Sequence, residues 1–153
     1  MPNIIIFDLD GTLANIDARR ALSMDDNNKI NWNKFFDPLN IPLDQPNIPV
    51  IHMAKMLKEQ GFKIFIFSGR SGVTLQATVE WLQDNNIPCD KLMMRPKEKL
   101  FMKDADLKQL WLNDKELIPN ISDVFAVFDD RDQVVEMWRK NNLTCFQVAN
   151  GNF

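Results

Sequence analysis

The chain has 153 residues, 45% of them hydrophobic and 25% charged, with 18 basic side chains against 21 acidic ones for a net charge of −3. That composition is ordinary for a soluble globular protein, long enough to bury one sizeable core and too close to neutral for the whole chain to act as a basic nucleic-acid binder. Cys89 and Cys145 lack metal-ligand spacing, which argues against a zinc site, and no leader or run of the ~18 apolar residues a membrane span needs is visible, so a reduced, cytoplasmic protein is expected.

The first element is Ile4-Ile5-Ile6-Phe7, an unbroken apolar run that reads as a strand buried on both faces and stops on Asp8-Leu9-Asp10-Gly11-Thr12. In parallel α/β sheets ligands bind beyond the carboxyl ends of the strands. Asp8 and Asp10, two apart on an extended backbone, would point the same way and could share a cation or a phosphate. Taken alone, the run is equally well explained as a turn built from Asp and Gly. A calcium loop of the EF-hand type is excluded, because Thr12 and Arg19 stand where that loop needs an acid and a glutamate.

From Asn15 to Pro49 the chain carries Asp25-Asp26-Asn27-Asn28 and then Pro38, Pro42, Pro46 and Pro49, which predicts an irregular insertion outside the sheet. Within it Trp32, Phe35, Phe36 and Leu39 have helical spacing, so a short helix is expected to bury its aromatic side over the end of the sheet or to cover a substrate. A helix over 50–60 follows, with Gly61 as its stop, and then a strand over 62–67 that ends on Ser68-Gly69-Arg70. The pattern continues with a helix over 73–85 and a short strand over 91–94. Next come a helix over 105–113, with Asp104 as its expected N-cap, and a strand over 124–128 that ends on Asp129-Asp130-Arg131. A helix over 133–140 and a strand over 144–148 complete the alternation. Right-handed βαβ crossovers then predict an α/β fold, a five-stranded parallel sheet with helices on both faces, in one domain over 1–153 with a small cap at about 15–49.

Parallel strands bring Asp8 and Asp10, Ser68 and Arg70, and Asp129 and Asp130 to one edge, and Lys108 lies on a helix that also starts there. Four carboxylates crowded together repel one another unless a cation sits among them, and oxygen ligands of this kind suit Mg²⁺. A metal beside cationic groups implies a phosphate-ester substrate. Asp8 is then the expected nucleophile toward phosphorus, and Asp10 the acid that protonates the leaving alcohol and later activates water. Ser68 and Lys108 would bind the transferring phosphoryl oxygens. The plain alternative for Lys108 is an i,i+4 pair with Asp104 on the helix surface.

The set Asp8-Leu9-Asp10-Gly11-Thr12, Ser68-Gly69-Arg70, Lys108 and Asp129-Asp130 resembles the four motifs of the haloacid dehalogenase superfamily, in order and over nearly the whole chain. The stretch from Phe128 to Arg139, with Cys145-Phe146-Gln147-Val148-Ala149 and Gly151-Asn152-Phe153, is similar more specifically to the 3′-phosphatase domains of bacteriophage polynucleotide kinase/phosphatases. The resemblance implies a three-layer Rossmann-like fold and a phosphatase working through an aspartyl-phosphate. It also implies Mg²⁺ held by the Asp8 side chain, the Asp10 carbonyl and one of Asp129 and Asp130, with Asp130 preferred. By the same resemblance Arg19, Arg70, Gly69, Thr12 and Asp104 belong to substrate binding, and Lys108 is preferred over Lys97, Lys99 and Lys103 for the motif lysine. The implied substrate is the 3′-phosphate end of a polynucleotide, in the host cytoplasm if the chain is phage-encoded.

No G-x-x-x-x-G-K-[ST] loop is present, so a free-standing phosphatase without a kinase half is expected. A longer Trp32–Pro49 stretch than in the bifunctional enzymes leaves nucleoside monophosphates or other small phosphate esters as the alternative substrates. A hydrolytic dehalogenase has no need of Asp10. The remaining alternatives are a catalytically silent phosphate-binding module and a protein in which the acids only end strands and cap helices. His52 lies on a helix away from the strand ends and reads as structural, and Trp81, Trp111 and Trp138 read as core residues. Trp32, Phe35 and Phe36 could also stack on a nucleobase.

Overall fold

The computed structural model describes residues 1–153. In chain order, strand β1 (Ile4–Phe7) leads into strand β2 (Ala14–Asn15), helices α1 (Asp17–Ser23) and α2 (Trp32–Phe35), a 3₁₀ helix over Pro38–Leu43, and strand β3 (Gln45–Pro46). The regular alternation that follows is α3 (Ile48–Glu59), β4 (Lys63–Ser71), α4 (Leu75–Asp84), β5 (Lys91–Arg95), α5 (Asp104–Asn113), β6 (Val124–Asp129), α6 (Asp132–Lys140) and β7 (Cys145–Gln147). Five strands form one sheet in the order β5-β4-β1-β6-β7, and every pairing in it is parallel. The α/β fold read from the sequence is therefore the observed one. No helix is long and apolar enough to cross a membrane.

Side-chain alternation splits the core into two layers, one on each face of the sheet. Ile5, Phe7, Ile64, Ile66, Ala126 and Phe128 point to one face and pack with Val50, Ile51 and Ala54 of α3 and Trp81 and Leu82 of α4. Ile4, Ile6, Phe65, Phe67 and Val127 point to the other and pack with Leu107, Trp111 and Leu112 of α5 and Val134, Val135 and Trp138 of α6. The β1/β6 register skips Phe125, since Ile4 pairs with Val124 but Ile5 with Ala126. This bulge places Phe125 in solvent and keeps Val124 and Val127 in the same layer.

Local expectations fail at several places. The excursion after β1 is not free of sheet, because β2 and β3 pair antiparallel as a two-stranded ribbon. It also contains α1, which turns Arg19 and Ser23 inward. The aromatic helix is only four residues long, because Asp37 accepts a hydrogen bond from the Leu39 amide and starts the 3₁₀ helix. Leu39 is then 84% exposed and contributes nothing to the packed side. Strand β4 does not end at Phe67 but runs on to Ser71, which pairs with Arg95, so Ser68, Gly69 and Arg70 sit inside the strand. Asp104 is the first residue of α5 and not its cap, because its carboxylate is taken by arginines instead.

Candidate active site

The carboxyl ends of β1, β4 and β6 and the start of α5 converge on a cavity of about 1470 Å³. Asp8 follows the last residue of β1, and its Oδ1 accepts from Lys108 Nζ at 2.7 Å while its Oδ2 accepts from Thr12 Oγ1 at 3.0 Å. Leu107, buried in the second core layer, seats α5 so that its neighbour Lys108 reaches across to Asp8 and Asp129. Lys108 forms no surface pair with Asp104; it is buried, with Asp129 Oδ2 at 3.0 Å.

Asp129 and Asp130 differ in how far their oxygens are already engaged. Asp129 Oδ2 accepts from Lys108 and from Trp138 Nε1, and its Oδ1 accepts from the Asp130 amide at 2.8 Å. Asp130 Oδ1 accepts only a long bond from Thr12, at 3.4 Å. Gly11, at φ +84°, permits this arrangement, since a Cβ at that position would collide with the Asp130 carboxylate.

Carboxylate oxygens of Asp8, Asp129 and Asp130 lie within 4.8 Å of one another, and all three residues are buried. Burial, reinforced by Asp129, raises the pKa of Asp8 well above the ordinary carboxylate range even though Lys108 opposes the shift. Burial also raises Asp130, with Asp129 adding to the effect. Burial would lower Lys108, but Asp129 and Asp8 outweigh it and hold the ammonium charged. Three carboxylates against one ammonium leave surplus negative charge on an all-oxygen donor set. That is the set hard divalent cations take, so these residues fit a magnesium-type ion.

Asp10 lies in different surroundings. Its Oδ1 accepts from Arg70 Nε at 2.8 Å and from an Arg19 terminal nitrogen at 2.9 Å. Burial pushes Asp10 upward, but Arg70 and Arg19 together overcome it and leave the pKa lowered. Both guanidiniums are in turn held by Asp44, which accepts from Arg19 Nε at 2.9 Å and from Arg70 at 2.7 Å. Trp81 Nε1 donates to the Asp44 carbonyl at 3.0 Å and so ties α4 to this cluster.

A second charged group forms the wall beside β5. Arg95 donates from Nε to the Gly69 carbonyl at 2.9 Å and pairs with Asp104, and Arg131 pairs with Asp104 at 2.9 Å. Gly69 leaves the room that the Asp104 carboxylate occupies. Asp8, Asp10, Gly69, Arg70, Asp104, Lys108, Asp129 and Asp130 all line the cavity. Arg19, Thr12 and Ser68 are not among its lining residues; they are buried, and the Ser68 hydroxyl accepts from the Arg70 amide at 3.2 Å.

Sequence reasoning missed Asp44, Arg95 and the indole of Trp138. Arg95 was findable, because it is the polar residue that ends its short strand, as Asp129 ends β6. Asp44 carries no local signal, since its importance comes only from the arginines folded against it. Trp138 is the core residue its spacing indicated, fully buried, and also a donor to Asp129.

The family model "Polynucleotide kinase PNKP phosphatase domain" matches residues 2–153. The chain is 34% identical over 151 residues to a protein of Autographa californica nuclear polyhedrosis virus named "Putative bifunctional polynucleotide kinase/RNA ligase", covering 97% of this chain and 20% of the viral protein. A chain of the solved Pnkp1/Rnl/Hen1 complex superposes with a TM-score of 0.77 at 34% identity, covering 100% of this chain and 48% of that one. The present chain thus spans about a fifth of the viral relative and about half of the solved one. A Clostridium acetobutylicum protein described as "a predicted phosphatase" shares the fold, with a TM-score of 0.76 at 14% identity over 96% of this chain and 84% of that one. The chain belongs to the family of polynucleotide kinase phosphatase domains, within the haloacid dehalogenase superfamily, and is a phosphatase.

Proposed function

We propose that this phosphatase removes 3′-phosphates from polynucleotide ends in a Mg²⁺-dependent reaction through an aspartyl-phosphate on Asp8. The observation that carries the reading is the pairing of Asp8 with Lys108 on the same cavity wall as a differently tuned Asp10. Family membership supports the polynucleotide end as the substrate.

Asp8 and Asp130 would hold the Mg²⁺, which supplies charge neutralisation that lets an anionic carboxylate approach an anionic phosphate. Asp130 is the better direct ligand of the pair, because both oxygens of Asp129 already accept strong hydrogen bonds. An Asp8 carboxylate oxygen attacks phosphorus, the bond from phosphorus to the 3′-oxygen breaks, and Asp10 gives its proton to the departing alkoxide. Lys108 offsets charge growing on the phosphoryl oxygens. In the second half Asp10 takes a proton from water, whose oxygen attacks phosphorus while the bond from phosphorus to the Asp8 oxygen breaks, and phosphate and the free Asp8 carboxylate result.

Arg19 and Arg70 hold Asp10 ionised, the form the second half requires. A phosphate dianion arriving beside Asp10 disfavours that ionised form and raises its pKa, which supplies the protonated form for the first half.

Asp8→Asn and Asp10→Asn are each expected to abolish Mg²⁺-dependent phosphate release from p-nitrophenyl phosphate, and full activity in either variant would remove the mechanism. A panel of 3′- and 5′-phosphorylated oligonucleotides and mononucleotides tests the substrate. Preference for 5′-mononucleotides over every 3′-phosphate would transfer the assignment to nucleotide hydrolysis.

A further inference from the structure

Five cationic side chains line the cavity: Arg20, Arg70, Arg95, Lys108 and Arg131. Four of them have a carboxylate partner. Arg70 pairs with Asp10 and Asp44, Lys108 with Asp8 and Asp129, and both Arg95 and Arg131 with Asp104. Arg20 has no carboxylate partner, and its Nε is buried without a hydrogen-bond acceptor. A shielded donor left unmade is costly, and an anionic acceptor entering the cavity would satisfy it.

Its neighbour Arg19 is fully buried and fully committed to Asp10, Asp44 and the Phe35 carbonyl. Consecutive residues of a helix point in directions ~100° apart, so α1 turns one arginine into the protein and the next toward the cavity. The Arg20 guanidinium stands over the Phe153 ring, 5.3 Å from its centroid, while the arginines that hold Asp10 are Arg19 and Arg70. Arg20 belongs to the cavity wall and not to the nucleophile network.

The same insertion supplies flat apolar surface. The Trp32 and Phe36 rings are stacked, with centroids 5.7 Å apart and planes at 19°, and both line the cavity. Trp32 is 58% exposed, so a large aromatic face is open to a ligand. An unpaired guanidinium and an open aromatic face lining one cavity match the two parts of a nucleotide unit. A sugar phosphate would use neither.

We infer that Arg20 and the Trp32–Phe36 shelf form a subsite for the nucleotide unit beyond the reacting phosphate, with Arg20 holding the phosphodiester on the 5′ side of the terminal nucleoside. The inference rests on the 3′-phosphatase reading and deepens it, because a mononucleotide lacks that phosphodiester and cannot use the subsite.

The test compares kcat/KM for a 3′-phosphorylated mononucleotide, dinucleotide and tetranucleotide with the same terminal base, in the wild type, Arg20→Ala and Arg20→Lys. The wild type is expected to prefer the dinucleotide over the mononucleotide by about tenfold or more, the range of one hydrogen bond to a charged group, with little further gain for the tetranucleotide. Arg20→Ala should bring that ratio close to one, and Arg20→Lys should keep part of it. In the wild type the ratio should also fall as salt is raised, a measurement that needs no variant. Equal kcat/KM for mononucleotide and dinucleotide in the wild type, a salt-independent ratio, or an unchanged ratio in Arg20→Ala would each overturn the subsite. If every 3′-phosphate is hydrolysed without regard to chain length, the subsite fails and the phosphatase reading survives. If no 3′-phosphate is hydrolysed while p-nitrophenyl phosphate is, both fail.

Discussion

Asp8 and Asp10 are the same chemical group two residues apart, and their surroundings push them in opposite directions. Burial and Asp129 raise Asp8, whereas Arg70 and Arg19 overcome burial and lower Asp10. Divergence of this kind is how one site assigns different roles to two carboxylates. Asp44 bears on Asp10 indirectly, because it shares both guanidiniums. Asp44→Asn keeps the shape but removes a negative charge, leaving Arg19 and Arg70 to act on Asp10 alone and lowering its pKa further. The protonated fraction of Asp10 then falls at neutral pH. We expect kcat to drop on the order of tenfold and the alkaline limb of the pH–rate profile to move to lower pH. An unmoved limb with normal kcat would show that Asp44 only holds the insertion in place.

Among the elements, α5 and α6 matter for the site through single side chains seated by the same apolar layer. Trp138 of α6 packs in that layer and donates to Asp129 Oδ2 at 3.0 Å. Trp138→Phe fills most of the volume but leaves that oxygen one donor short, so a loss of about 1–3 kcal/mol in denaturant unfolding is expected. Gly11 does a different job in the turn after β1, where its positive φ and missing side chain make room for Asp130. Gly11→Ala is expected to cost roughly 1–3 kcal/mol by strain and, if Asp130 holds Mg²⁺ as proposed, also to weaken Mg²⁺ binding, because relief of the collision displaces its carboxylate. Calorimetric titration with Mg²⁺ separates the two effects, and unaltered affinity would show that Asp130 is not a ligand.

At the scale of the whole molecule, the clustering of Asp8, Asp129 and Asp130 at one edge of the sheet should make stability depend jointly on metal and pH. Asp8 and Asp130 carry raised pKa values, and for such groups the folded state binds protons more tightly than the unfolded chain. Their contribution therefore favours folding at low pH and is lost as pH rises toward the raised pKa. Asp10, lowered in the folded state, contributes in the opposite sense, with stability present above its unfolded pKa and lost as pH falls through the folded one. Mg²⁺ is expected to raise Tm and to lose this effect as acid protonates Asp8 and Asp130. A Tm increment independent of pH would count against a carboxylate site. The sequence by itself determined the five strands, the parallel α/β fold, the family and the acid-bearing strand ends, because short apolar runs and the residues that stop them are local signals. It was less informative in the insertion, where Asp37 and the prolines break helices that apolar spacing alone would extend. Which charge meets which was decided only by the tertiary structure. Lys108 could pair with Asp104 four residues away or with Asp8 a hundred away, and packing of Leu107 and Trp111 against the sheet chose the latter. The same holds for Asp104 with Arg95 and Arg131, and for Asp44 with Arg19 and Arg70. Ion pairing depends on distance in space, and in this chain that distance is set by how the apolar faces of the helices settle on the sheet.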